Sequence, residues 1–320
     1  MPIKTILWAA VFPSAVVGVA LILLSVLARR VTARVERSPA PTTAWSILSA
    51  LALAGTFAFG SYEALGKWPP FPPLAGEEWL PYLALAAAPL AGVLAVLSGR
   101  RAVISAGVIA ALLAGAVVFL SLANAGDMGV GIARLPWAAG IILYIVVLGT
   151  LIELAARKHD DTARPTVGAA SLPLALGAAG LLSFPAFALL ENVKEGMMMG
   201  VLGGTLVAIG VSQLIWLWRF YIRGLGPAFA ALYAGLWLTL TFYSSTPNWP
   251  AAILGLAAPF PPIVLALIPR LSGPTSLLAR RPLIAALSHA MLAAGVIGGA
   301  IAIAIASGAL KPQTSPYEPF

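Results

Sequence analysis

The sequence predicts an all-α integral membrane protein, a polytopic bundle of ten transmembrane helices. Three observations predict it. Apolar segments of about 20 residues, each long enough to cross a hydrocarbon core of roughly 30 Å, recur along the chain. Hydrophobic residues make up 60 % of the sequence and charged residues only 9 %, against about 25 % charged in a soluble domain, so most of the surface must face lipid. Lys and Arg concentrate in alternate connections, a pattern that a bilayer imposes. The spans are helices because an open sheet in lipid leaves its edge groups without hydrogen bonds.

The first apolar run, Thr5–Ala28, follows Lys4 and ends at Arg29 and Arg30. It is longer than the apolar part of a secretory leader and lacks a small-residue cleavage pattern, so it reads as an uncleaved first span. Thr43–Tyr62 is the second span and Trp79–Leu97, which contains Pro89, the third. Ala102–Ala123, Leu135–Ala155, Ala169–Leu190 and Met197–Trp218 follow. The last three are Leu225–Tyr243, the proline-bearing Trp249–Ile268, and Pro282–Ile305.

The connections after the odd-numbered spans carry 14 Lys and Arg, and the opposite side carries 5. That bias places the basic loops in the cytoplasm and both termini outside it (N-out/C-out). The net charge of +8 therefore reports membrane orientation and not a nucleic-acid partner. The chain has no cysteine and two histidines, which leaves no disulfide, no thiolate metal site and no histidine cage. No cofactor or metal is expected. The alanine-rich, arginine-over-lysine composition points to the inner membrane of a bacterium with a GC-rich genome.

The connection Glu63–Glu78 contains Trp68-Pro69-Pro70-Phe71-Pro72-Pro73, expected to be a stiff, extended stretch with aromatics at the outer interface. Spans three and nine echo each other. Trp79, Pro89 and Arg100 recur at the same spacing as Trp249, Pro259 and Arg270, and Ala-Ala precedes each proline. The echo suggests an internal four-span repeat, spans 1–4 matching 7–10. Ten spans also divide five plus five with inversion, but no residue match supports that division.

Three groups of residues are candidates for function, and others for helix packing. Pro259, Pro261 and Pro262 lie mid-way through the ninth span, where each removes a backbone donor and clashes one turn back. The carbonyls they free must meet neighbouring helices, water or a ligand, and Pro89 is the corresponding residue of span three. His289, preceded by Ser288, is read as the one ionisable residue well inside a span, where such a group faces a cavity or a partner. The opposing reading is a neutral imidazole bonded to the next helix.

Tyr62, Glu63, Asp127, Glu191 and Glu195 gather on the outer side as an acidic mouth, against the plainer reading of a solvated rim. Met197, Met198 and Met199 point in different directions from one helix and suit packing better than metal binding. Gly200 with Gly204 and Gly295 with Gly299 are G-x-x-x-G pairs expected to let helices approach closely. Ser212 and Gln213 are positioned to add a hydrogen bond between helices. His159-Asp160-Asp161 reads as a solvated loop.

No metalloprotease, phosphate-loop or nucleophile-elbow motif occurs. The leading expectation is a secondary carrier of a small molecule or ion that rocks about a midplane site. The next is a structural or assembly subunit of a larger membrane complex, and the third is a membrane enzyme acting on a lipid-like substrate through Tyr62, Glu63 and Asp127. The lipid bilayer is the expected partner, with further membrane proteins or a second copy of the chain beside it.

Overall fold

A computed structural model describes residues 12–16, 18–20, 23, 40–73, 77–123, 134–160, 168–190, 192–216, 222–243, 248–268 and 282–306. The described residues are mainly helical and contain no strand. The helices are α1 (Ala40–Leu65), α2 (Leu80–Val96, entered through a 3-10 turn at Glu77–Trp79), α3 (Gly99–Ala123), α4 (Arg134–Asp160) and α5 (Gly168–Leu189). They continue as α6 (Val193–Trp216), α7 (Leu225–Tyr243), α8 (Trp249–Ala257), α9 (Phe260–Leu267) and α10 (Pro282–Ala306). Eight helical segments among the described residues are long and apolar enough to cross a membrane, and α7 is a shorter apolar helix beside them. The chain is a polytopic helical membrane bundle. Most of the predicted first span lies outside the described residues, although residues 12–16 and 18–20 are helical.

Helix α7 is the axis of the bundle. Its side chains from Leu225 to Thr241 are buried, and α2, α3, α4, α6 and α8 pack around it. Gly226, Ala230, Ala231, Ala234 and Gly235 keep it slender enough for five neighbours to approach. Between the small residues stand Phe229, Tyr233 and Trp237, each no more than 1 % exposed. The Phe229 and Tyr233 rings stack at 5.2 Å, and Phe187 of α5 meets Trp237 edge-on at 4.8 Å.

Helices α5 and α6 cross backbone against backbone. A methyl group on Gly180 would stand 2.7 Å from the Gly203 Cα, and one on Gly177 2.8 Å from the Gly203 carbonyl. The glycine that carries this crossing is Gly203, between the two residues of the expected pair. Gly200 and Gly204 are themselves buried. The other pair behaves differently. Gly295 is exposed, with nothing within 4 Å of where a Cβ would stand, and Gly299 makes only ordinary contact with Leu254 at 3.5 Å. Expecting Gly295 to hold a tight crossing is therefore corrected: it lies on the outward face of α10. Met197, Met198 and Met199 are all fully buried, in keeping with packing.

The ninth span is two helices, α8 and α9, separated at Ala258 and Pro259. Pro89 has no such effect. Helix α2 runs through it unbroken, and its ring is on the exposed face, so the echo between spans three and nine stops at the sequence. At the other end of α2, the proline stretch after α1 is pinned to the helix. The Trp68 indole donates to the Tyr82 hydroxyl at 3.1 Å, and Tyr82 donates to the Pro69 carbonyl at 2.8 Å.

Candidate functional site: a broken helix and a buried ion pair

Asn248 starts α8 by accepting the Ala251 N–H at 3.1 Å. Trp249 stacks on Trp137 of α4 at 4.5 Å. The helix then meets three prolines. Pro259, Pro261 and Pro262 cannot supply the N–H groups that would serve the carbonyls of Gly255, Ala257 and Ala258. Ala258 tightens the last turn by donating to Gly255 at 3.1 Å, and the α-helical hydrogen-bond ladder is interrupted while the backbone at Ala258 and Pro259 keeps helical dihedral angles.

Two tyrosines take up the exposed backbone. The Tyr233 hydroxyl donates to the Gly255 carbonyl at 2.7 Å, and the Tyr144 hydroxyl donates to the Leu256 carbonyl at 2.8 Å. Ser183 of α5 lies 3.5 Å from the Tyr233 oxygen while donating to Ala179 at 2.6 Å. The Phe260 ring closes the group edge-on to Tyr144 at 5.8 Å. Gly255 has to be glycine, because a methyl there would collide with the Trp237 indole. Helices α4, α5, α7 and α8 thus meet at one polar point inside the bundle, where Tyr233 takes the carbonyl of Gly255 that Pro259 frees and Tyr144 takes the next carbonyl, that of Leu256. The sequence located the break. The tyrosines that answer it are visible only as mid-span hydroxyls whose level no span boundary specifies.

Pro259 and Pro262 are buried and Pro261 half-buried. His289 is 6 % exposed on α10, and its Nδ1 has no hydrogen-bond partner. Ser288 beside it is half-buried. Of the expected outer mouth, Asp127 and Glu191 lie outside the described residues. Tyr62 is exposed and Glu63 half-buried. Glu195 departs from the rim reading: it is buried in the first turn of α6.

A second polar point was not anticipated. Glu153 and Arg157 of α4 are buried, so His289 is not the one ionisable residue inside a span. Helix α4 continues to Asp160, which takes Arg157 out of the expected loop. The Arg157 guanidinium lies 2.6 Å from Glu153 and donates to the carbonyls of Leu94 at 2.7 Å and Leu97 at 2.8 Å. These are end carbonyls of α2, which its own helix leaves unpaired. The other carboxylate oxygen of Glu153 accepts the Gly224 N–H at 2.7 Å, at the start of α7. A cation therefore sits at a helix C-terminus and an anion at a helix N-terminus, both signs favoured by the helix dipoles. Gly224 has φ of +83°, and a side chain on it would strike the Ala91 carbonyl, so only glycine brings that N–H to Glu153.

The signal for this node is the spacing E-x-x-x-R in an apolar run, which places the two charges one turn apart on one face. It was obscured because Arg157 also fits a basic loop. Without it the charge bias is still 13 to 5. No protein family, no characterised protein and no solved structure matches this chain.

Proposed function

We propose that this chain is a secondary carrier of a small molecule, with the α8–α9 break as the place where the bundle rearranges. The observation that carries the reading is the pair of hydrogen bonds from Tyr233 and Tyr144 to the carbonyls of Gly255 and Leu256. A carbonyl freed by proline at membrane depth has to meet a neighbouring helix, water or a ligand, and proline-interrupted spans supply the sites of many carriers. Each carbonyl has one side-chain hydroxyl as partner, beside the Ala258 N–H on Gly255, and a polar ligand can replace that hydroxyl bond for bond. The buried pair Glu153–Arg157 holds the ends of α2 and α7 at the arginine-rich end and gives that end a fixed frame. The alanine-rich, arginine-over-lysine composition supports a bacterial inner membrane, and the charge bias supports both termini outside the cytoplasm. Tags on the two ends that reported from the cytosol would contradict that orientation.

The test compares small polar metabolites inside and outside cells expressing the wild type, Y233F or an empty vector, at matched membrane levels. At least one solute should redistribute with the wild type and return to the empty-vector level with Y233F. A wild type indistinguishable from the empty vector would overturn the reading.

A second reading, an assembly subunit, is favoured by one observation: the carbonyls of Gly255 and Leu256 are already bonded within the chain. Purification in mild detergent separates the two, since a subunit retains partners and a carrier gives one species without them.

A further inference from the structure

Helices α1 and α6 are held in antiparallel register at two points. The Thr205 hydroxyl donates to Thr56 Oγ1 at 3.0 Å, with the Val201 carbonyl at 2.8 Å as its alternative acceptor. One turn away, Gly60 leaves no room for a methyl group against Val201. Counting about two turns toward the arginine-rich end, Ser49 follows Thr56 along one face of α1, and Ser212 follows Thr205 along the facing side of α6. Gln213 is the next residue, turned toward the interior face that Leu202, Leu206 and Ile209 occupy.

Polar groups at this level are buried and incomplete. Ser49 is 0 % exposed and Gln213 7 %, and neither Ser49 Oγ nor Gln213 Oε1 has a hydrogen-bond partner. Ser212 is 0 % exposed and donates its proton to the Ala208 carbonyl at 2.7 Å, so its oxygen remains an acceptor. Buried polar atoms are nearly always paired, and each exception calls for a water or ligand that completes it. Charge is absent at this level of the two helices. The charged residue of α1 is Glu63, near the opposite end, and those of α6 are Lys194 and Glu195, in its first turn. An ion would find no counter-charge on either helix, and a buried unpaired charge is costly. An anion would also face the lone pairs of Gln213 and Ser212. A hydroxyl group has the matching chemistry, since it can donate to an acceptor such as Gln213 Oε1 and accept from a donor such as the Ser49 hydroxyl.

We infer that the α1–α6 interface holds a site for a small, neutral, hydroxyl-bearing molecule at Ser49, Ser212 and Gln213. The site deepens the carrier reading by naming a solute class, and it stands on groups separate from the α8–α9 break.

The cysteine-free chain permits a direct test in the full-length protein. Single cysteines S49C and S212C, with L53C as an apolar control one turn from Ser49, are treated in membranes with neutral 2-hydroxyethyl methanethiosulfonate. A thiol reacts only where it can ionise in a solvated site. The two serine positions should label about tenfold faster than L53C. Glycerol should slow labelling at S49C, while an equal osmolality of potassium chloride should not. In S49C/Q213L the labelling should persist and glycerol protection should weaken about tenfold, the effect of one lost hydrogen bond. Labelling of both serine positions no faster than L53C would overturn the inference, as would rapid labelling that glycerol leaves unchanged, which marks a gap holding water alone. Labelling reads the site and solute redistribution reads transport, so failure of one is distinguishable from failure of the other.

Discussion

Arg157 and Glu153 stand one turn apart on α4, 2.6 Å from each other, and each binds the end of a different helix. Arg157 completes the last carbonyls of α2, and Glu153 completes the first N–H before α7. Removing either partner takes the ion-pair partner from a buried charge, at a cost of about 3–5 kcal/mol. E153A and R157A should each lower the unfolding temperature in detergent markedly. R157K should rescue little, because a point charge cannot reproduce a fork that serves three acceptors. The double variant E153L/R157M should be more stable than either single alanine variant. Additive losses in that comparison would show that the two side chains act separately.

Loss of the Tyr233 or Tyr144 hydroxyl removes the side-chain partner of a carbonyl inside the bundle, leaving Gly255 only the Ala258 N–H. Y233F and Y144F should each cost about 1–3 kcal/mol, read as the shift in thermal unfolding of the detergent-solubilised protein. G255A should cost more than either, because the methyl displaces the Trp237 indole from the centre of the core. Wild-type stability in G255A would mean that the packing around Trp237 is looser than described.

The glycines separate cleanly. G203A puts a methyl 2.6 Å from the Gly177 carbonyl, with backbone and not a flexible side chain in the way, and overpacking of this kind costs about 1–3 kcal/mol or more. G295A meets open space and should be neutral. Melting temperatures of the two variants, measured side by side, check the contrast. Equal destabilisation would contradict the assignment of the α5–α6 crossing to Gly203.

The bundle and most span limits were legible because lipid leaves one strong signal, an apolar run of fixed length between polar ends. Leu225–Tyr243 was predicted residue for residue, and the break at Pro259 followed from proline chemistry. Lateral packing was much less legible. Every span is apolar on all sides, so nothing in the pattern marked α7 as the axis or Gly295 as outward-facing. Glu153 and Arg157 escaped for a related reason: at a span end, a buried ion pair and a basic loop have the same composition, and only the length of α4 separates them.

Proline and histidine substitutions divide the carrier reading from mere stability. P259A, P262A and H289A should insert at normal levels and abolish solute redistribution, since the first two restore helical donors at the break and the third removes the unbonded Nδ1 of His289. Normal redistribution by all three, checked against membrane abundance, would remove the carrier reading.

The most direct test is a distance measured across the break. Ile253 on α8 and Val264 on α9 are 61 % and 47 % exposed, so spin labels on cysteines there disturb no core contact, and the chain has no other thiol. In lipid, electron–electron double resonance should resolve two distance populations for the wild type. In Y144F/Y233F their weights should shift, because the hydroxyls that hold one arrangement are gone. A single narrow distribution, identical in both proteins, would contradict the account.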